Sequence, residues 1–599
     1  MNKTRNEIED KYKWDLTKIY KDEDSFWNEF NTFKEDINRY KDYKDTFLNS
    51  AKDLYDYLLF DCNMDLVIGK LYTYAARLKD EDLSNTKNIS MYDQVKNIDT
   101  LRDETSSYFV PMLLEKDYSD IKKWYEDEPK LKEFDRVFKR IFDRKEHILS
   151  KEEEKLLLSF SNPLSKYNDI FDLFIDSELI FDDIKDENGN LVPMSDTYYG
   201  KYIDSLDRNV RRDAYNSLYK SIKQYKNTFA KLLLTNADSN ILYSKYRKYN
   251  SALEHALKPN EIDSNIYKNL ISTVRSNQEP IYDYFRMKKD ILGLDSLHFY
   301  DVYTPLIKSS TKEYSFNEAK ETVLEALGVL GTDYTKILEK AFNERWIDVY
   351  ATPNKAGGAY SSGTYGTNPY ILLNFQGKLN DVSTLAHELG HSVHTYYSKE
   401  NQPIQTSSYT LFCAEVASTV NELILAKYML KHSNSKEEKL NILNKLLELF
   451  KSTIYRQTMF AEFELWFYEE LEKGKSLTEE DLCNKYKELL KDYFADTVVI
   501  DDNIIYEWAR IPHFYYDFYV YQYATGLAAA CQIVKNIETQ GEEGVNNYKK
   551  FLSSGSSLSP VEELKLAGVD MSSPVPIESA IEFFKETLKE FKDLYNSEV

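Results

Sequence analysis

The sequence predicts a mainly α-helical fold with a small β-sheet next to its candidate active site. Two observations carry that prediction. Through most of the 599 residues, apolar side chains recur at spacings of three and four with charged residues between them, the signature of helices with one buried face. Only residues 178–194 and 346–375 depart from it, with runs of β-forming residues punctuated by glycine.

Taken in order, the first 180 residues read as helices over 24–46, 50–79, 87–114, 119–126 and 128–144. A further helix over 151–161 stops at Asn162-Pro163. No titratable cluster with catalytic spacing occurs here, and the isolated His147 reads as structural or solvated. Residues 178–194 carry Asn188-Gly189 between two modest apolar runs, a hairpin signal. Asp207-Arg208 opens another helix. The expected division is therefore an N-terminal helical domain over 1–200 and a catalytic domain over 201–599. Helical patterning resumes from 210 to 345, where His255 and His298 read as structural. Residues 346–375 predict a small sheet with glycine turns. Gly357-Gly358 permits close backbone approach, and a sheet edge there suits main-chain pairing with an extended peptide. No G-x-x-x-x-G-K-[ST] phosphate loop is present.

The stretch from Asp381 to Ser398, DVSTLAHELGHSVHTYYS, carries the chemistry. Asp381 is the expected N-cap, and Val382, Leu385, Leu389 and Val393 form an apolar row at helical spacing. His387 and His391 are four apart, so they differ by about 40° around the helix and can reach one metal ion from one face. Neutral imidazole is the commonest zinc ligand, and a catalytic zinc keeps a position open for water. Glu388, beside the first ligand, can take that water's proton and pass it to a leaving amine. His394 shares the metal face but lies too far along to ligate, which makes it pocket wall or a support for the ligands.

The third ligand is expected on the next helix, over 409–429, where Glu415 follows His391 by 24 residues. A carboxylate on so apolar a helix is costly unless paired or metal-bound. Glu422, two turns on, can hold a ligand imidazole in place. Cys413 reads as packing. Residues 435–499 are long, charged, structural helices. His513, Tyr516, Tyr519 and Tyr523 then fall in one run. Neutral imidazole and phenol are suitable donors to the oxyanion of peptide hydrolysis. Tyr516 and Tyr523, seven apart, are expected to share a helix face.

H-E-L-G-H followed at this distance by E-V-A-S-T-V-N-E resembles the thimet-oligopeptidase-like zinc metallopeptidases, and most of all their oligoendopeptidase F branch. The likeness extends to KAGGAYSSG (355–363), PYILLNF (369–375), IPHFYYDFYVYQYATG (511–526) and LAGVD (566–570). It covers residues 200–590 well and the N-terminal third more weakly. The resemblance implies a multi-helix metallopeptidase fold with a deep substrate channel between helical regions, admitting short peptides. It implies one zinc ion, held by His387, His391 and Glu415, with Glu388 as general base. It also implies that His513, Tyr516 and Tyr523 steady the oxyanion and the substrate backbone. The thimet branch carries a glycine-containing loop between its histidine and first tyrosine; here only Phe514 and Tyr515 intervene, so the match at His513 and Tyr516 is looser than at Tyr523.

A formal charge of −23 disfavours nucleic acid and acidic membranes as partners. No signal-like N-terminus and no run of 18 apolar residues occurs. Cys62, Cys413, Cys483 and Cys531 are widely spaced, as in reduced, cytoplasmic proteins. The 49 tyrosines are expected at partly wet helix interfaces. The expected function is endohydrolysis of short peptides. One alternative is a zinc aminopeptidase, disfavoured by the lack of a G-x-M-E-N amine-capturing motif. The other is a non-catalytic helical peptide binder, for which Glu388 has no use.

Overall fold

A computed structural model describes residues 4–307 and 312–597. Side-chain caps set several helix starts. Ser50 Oγ accepts the Asp53 amide and opens Ala51–Glu81. Asn85 accepts the Lys87 and Asn88 amides and opens Thr86–Ser106. Asp207 accepts the Asn209 amide at 2.8 Å and opens Arg208–Gln224. The segment expected as one helix over 24–46 is two, Glu23–Asp36 and Arg39–Tyr43. Residues 128–144 divide into a 3-10 turn, Pro129–Phe134, and a helix, Asp135–Asp143. The helix expected to stop at Asn162-Pro163 runs from Lys151 to Leu164.

The chain forms two compact units, each assembled from three segments. The first comprises 1–145, 312–431 and 533–569; the second comprises 146–311, 432–532 and 570–599. Both therefore use residues from either side of position 200.

In the first unit an aromatic-rich core, with Phe26, Leu54, Tyr57, Val95, Ile121 and Phe138 at 6 % exposure or less, also takes in Tyr370 and Leu372 of a three-stranded sheet. Its strands are β1 (Ile347–Tyr350), β2 (Tyr360–Ser362) and β3 (Tyr370–Phe375). β3 is central, parallel to β1 and antiparallel to β2, which leaves β2 as an edge. The turn after β1 is held by Lys355. Its buried ammonium pairs with Asp348 at 2.7 Å and donates to the carbonyls of Tyr350 at 2.8 Å and Leu373 at 2.6 Å. Gly358, at φ 75°, occupies the left-handed region that favours glycine.

In the second unit the C-terminal helix Val575–Asn596 packs along Lys436–Phe450. The expected hairpin is present in short form. Ile184–Lys185 pairs with Leu191–Val192, and Asp186 accepts the Asn188 and Asn190 amides across the turn. Asp301 is fully buried between two arginines. Arg208 lies 2.9 Å and Arg211 2.8 Å from its oxygens, and the His298 amide donates to it at 3.0 Å. His147 stacks on Tyr249 at 3.7 Å and its Nδ1 lies 2.8 Å from the Arg247 carbonyl, a structural role. Many tyrosines are deeper than the interfaces expected for them. Ten of the twelve largest fully buried side chains are tyrosine, and most of their hydroxyls bond inside the protein, as Tyr215 does to Asp501 at 2.7 Å and Tyr486 to Glu507 at 2.6 Å. A buried phenol needs such a partner.

Candidate active site

The H-E-L-G-H stretch lies on α1 (Leu379–Asn401). Val382, Leu385, Leu389 and Val393 are all fully buried, so the apolar row packs as its spacing implies. Asp381 is not the N-cap: the helix starts two residues earlier. From the first turn, Asp381 reaches back to accept the Lys378 and Gln376 amides at 2.8 and 3.0 Å. The next helix, α2, spans Leu411–His432. The two touch at Gly390, where a Cβ would lie 2.7 Å from both the Ala417 carbonyl oxygen and the Ser418 Cα. Asn421 locks the crossing. Its amide donates to the Ala386 carbonyl at 3.0 Å, and its oxygen accepts from Tyr334 at 2.7 Å. Ser392 Oγ lies 2.8 Å from Ser361 Oγ, tying α1 to edge strand β2. Neither Gly390 nor Asn421 was singled out from the sequence. A glycine inside a strongly helical pattern is the signal that marks the first.

This contact brings three donor atoms together. His387 Nε2 and His391 Nε2 are 3.2 Å apart, and Glu415 Oε2 lies 3.4 and 3.5 Å from them. A tetrahedral zinc with ligands at about 2.0–2.1 Å has ligand-to-ligand edges of about 3.3–3.4 Å, so the triangle fits that ion. Among the described residues it is the one grouping of three such side chains with donors all within 4.8 Å. Glu422 Oε1 lies 2.5 Å from His387 Nδ1, which turns Nε2 toward the other two donors. Ser383 Oγ, at 3.3 Å, steadies Glu422. Ser418 Oγ, at 3.0 Å, does the same for Glu415.

Burial disfavours charge on His387, but the Glu422 hydrogen bond and charge outweigh it and bring the imidazole up to about 9. Burial pushes Glu415 up, and its bond to His391 with the charge of both imidazoles overcomes this, taking it down to about 2. Glu388 is 5 % exposed and its Oε2 has no hydrogen-bond partner; burial lifts its carboxyl above the ordinary range. A carboxyl with a free oxygen beside the donor group is placed to take up and pass on a proton. His394 stays out of the donor group. It stacks on Tyr409 at 3.7 Å, is 1 % exposed, and burial drives it down to about 3. It is a core residue. Cys413 is likewise packed, with Sγ 3.7 Å from the Pro560 carbonyl.

The second candidate group lies in the other unit. His513 sits in a 3-10 turn, Pro512–Tyr515, and Tyr523 in the first turn of the helix Tyr521–Gln540. His513 Nε2 is 3.3 Å from the Tyr523 hydroxyl. The rings of Tyr516 and Tyr519 lie 5.7 and 6.2 Å from the imidazole. Burial lowers the His513 pKa, favouring neutral imidazole. The shared helix face expected for Tyr516 and Tyr523 does not exist. Asp517 and Phe518 take φ of 50° and 58°, which ends any right-handed helix between them. The turn itself gathers the rings, and its buried supports were invisible to a periodicity argument.

Comparison with known proteins shows the family. The profile described as Peptidase family M3 matches residues 201–583, and one described as Oligopeptidase F matches 113–181. Oligopeptidase PepF of Bacillus subtilis is 39 % identical over 590 residues, covering 98 % of this chain and 88 % of that one. A plasmid-encoded oligoendopeptidase F of Lactococcus lactis subsp. cremoris is 36 % identical over 99 % of both chains. The crystal structure of oligoendopeptidase-F from Enterococcus faecium superposes with a TM-score of 0.74 at 33 % identity, over 96 % of this chain and 99 % of that one. The chain belongs to peptidase family M3 and is a metalloendopeptidase of its oligoendopeptidase F group.

Proposed function

We propose that this protein is a zinc-dependent endopeptidase that cleaves internal bonds of short peptides. The observation that carries the reading is the donor triangle of His387, His391 and Glu415, whose 3.2–3.5 Å edges suit a tetrahedral zinc with a vacant fourth position. A metal held there supplies a Lewis acid for the scissile carbonyl and a more acidic water. Glu388 accepts the proton of the attacking water and delivers it to the departing amine. Glu422 keeps His387 oriented. His513, Tyr516 and Tyr523 are assigned as donors to the oxyanion and the substrate backbone, on the family resemblance and the bond between His513 and Tyr523. The names of the relatives, oligopeptidase and oligoendopeptidase, support short peptides as substrates. Four cysteines without a disulfide among them suit a reducing, cytoplasmic setting.

The test is metal removal on an internally quenched, end-blocked peptide of about ten residues, a length that follows from the oligopeptide reading. Chelation abolishes cleavage, and about one zinc per chain restores it. Cleavage of unblocked peptides alone would instead indicate an aminopeptidase. Full activity of the metal-free protein would remove the zinc assignment.

A further inference from the structure

The turn that gathers His513, Tyr516 and Tyr523 is held in an unfavourable backbone conformation by residues outside it. Asp517 and Phe518 are consecutive left-handed residues, a region unfavourable for residues that carry a Cβ. Phe518 is 2 % exposed and wedged between the rings of Tyr468 at 4.5 Å and Tyr267 at 5.6 Å. Its amide donates to Glu464 Oε1 at 2.8 Å. Glu464 lies on the helix Gln457–Glu472 and is fully buried. Its other oxygen has no hydrogen-bond partner, and burial lifts its carboxyl well above the usual range. Asn240 holds the neighbouring residue. Its amide donates to Asp517 Oδ1 and, at 2.9 Å, to the Tyr468 hydroxyl.

A buried acid with one hydrogen bond is expensive, and here that bond goes to the backbone of this turn. The turn has a geometric result. His513 and Tyr523 are ten residues apart, about 15 Å along a helix, yet their polar atoms are 3.3 Å apart.

We propose that Glu464 and Asn240 are positioning residues, fixing the turn at Asp517 and Phe518 so that His513, Tyr516 and Tyr523 are held as one preorganised donor group. The inference rests on the assignment of those three side chains to the substrate made above. Glu464 touches no substrate in this scheme; it acts through the amide of Phe518.

The experiment uses the full-length, zinc-loaded protein and the end-blocked quenched peptide. Glu464→Leu removes the acceptor, whereas Glu464→Gln keeps a carbonyl oxygen for the Phe518 amide. Misplacing donors by about 1 Å costs on the order of 100-fold. Glu464→Leu is therefore expected to lower kcat roughly 10–100-fold with KM changed less than about 3-fold and zinc content unchanged. Glu464→Gln is expected to stay within about 3-fold of wild type. In a Tyr523→Phe background Glu464→Leu should cost less than it does in the wild-type background, because one of the donors it positions is already removed. Should Glu464→Leu not fold, Asn240→Ala decides, with the same kcat loss and the same non-additivity expected. Equal kcat losses in the Leu and Gln variants, a wild-type kcat in Glu464→Leu, or costs that multiply in the double variant would each overturn the proposal. If His513→Gln and Tyr523→Phe themselves leave kcat unchanged, the substrate role of the cluster fails and takes this inference with it. If those two lose activity while Glu464→Leu does not, only the positioning role fails.

Discussion

At the scale of single residues, the candidate metal-binding group of His387, His391 and Glu415 is held by small supports as well as by its own helices. Glu422 fixes which nitrogen of His387 faces Glu415 and His391. Glu422→Ala should therefore weaken zinc binding by roughly 10–100-fold without unfolding the protein, as other losses of such supports do; competition with a chromophoric chelator reads this directly. His387, Glu388, His391, Glu415 and Glu422 were legible in the sequence because helical spacing alone puts the first three on one helix and the last two on the next. His394 was less legible. Its position around α1 is shared with His387, and only the stack on Tyr409 shows that it faces the core.

At the scale of elements, two helices in van der Waals contact create the donor triangle. Gly390 allows the contact, since a Cβ would strike the backbone of Ala417 and Ser418 at 2.7 Å. Backbone atoms cannot yield as a flexible side chain does. Gly390→Ala is expected to cost about 1–3 kcal/mol of stability and to weaken zinc binding together with it. The same change at Gly357 meets nothing within 4 Å and should alter stability by less than about 0.5 kcal/mol. Urea denaturation of both variants checks the contrast. The small sheet was readable as β because residues 346–375 break the helical period. Its order, with β3 between β1 and β2, was not, since strand periodicity is silent about which neighbour each strand chooses. The 511–526 segment shows the opposite failure. Its tyrosine spacing suited a helix, but Asp517 and Phe518 are held left-handed by contacts more than forty residues away in sequence, and no local pattern reports those.

At the scale of the whole molecule, mainly helical architecture was legible, because periodic burial repeats along most of the chain. The make-up of two units from three segments each was not: amphipathic periodicity says which face of a helix is buried, not against which partner. Stability is set partly by buried ion pairs such as Asp301 with Arg208 and Arg211. Burial raises the Asp301 carboxyl, but the two arginines and the His298 amide outweigh it and bring it below its ordinary 3.8. A depressed carboxyl stabilises the fold above its unfolded pKa and loses that contribution as pH falls through the folded one. Asp301→Asn should therefore cost about 3 kcal/mol near pH 7, leaving Arg211 buried without its partner, and the difference from wild type should shrink as pH drops below 3.8. Denaturation midpoints at pH 7 and in acid measure it.

The central claim, a metal-dependent peptidase with Glu388 as its base, is tested most directly by Glu388→Gln. The variant keeps the shape of the side chain and all three donors, so zinc content should match wild type. Cleavage of the end-blocked quenched peptide should fall by at least about 100-fold in kcat, the scale of a lost general base. A Glu388→Gln protein that holds its zinc and cleaves at the wild-type rate would contradict the account.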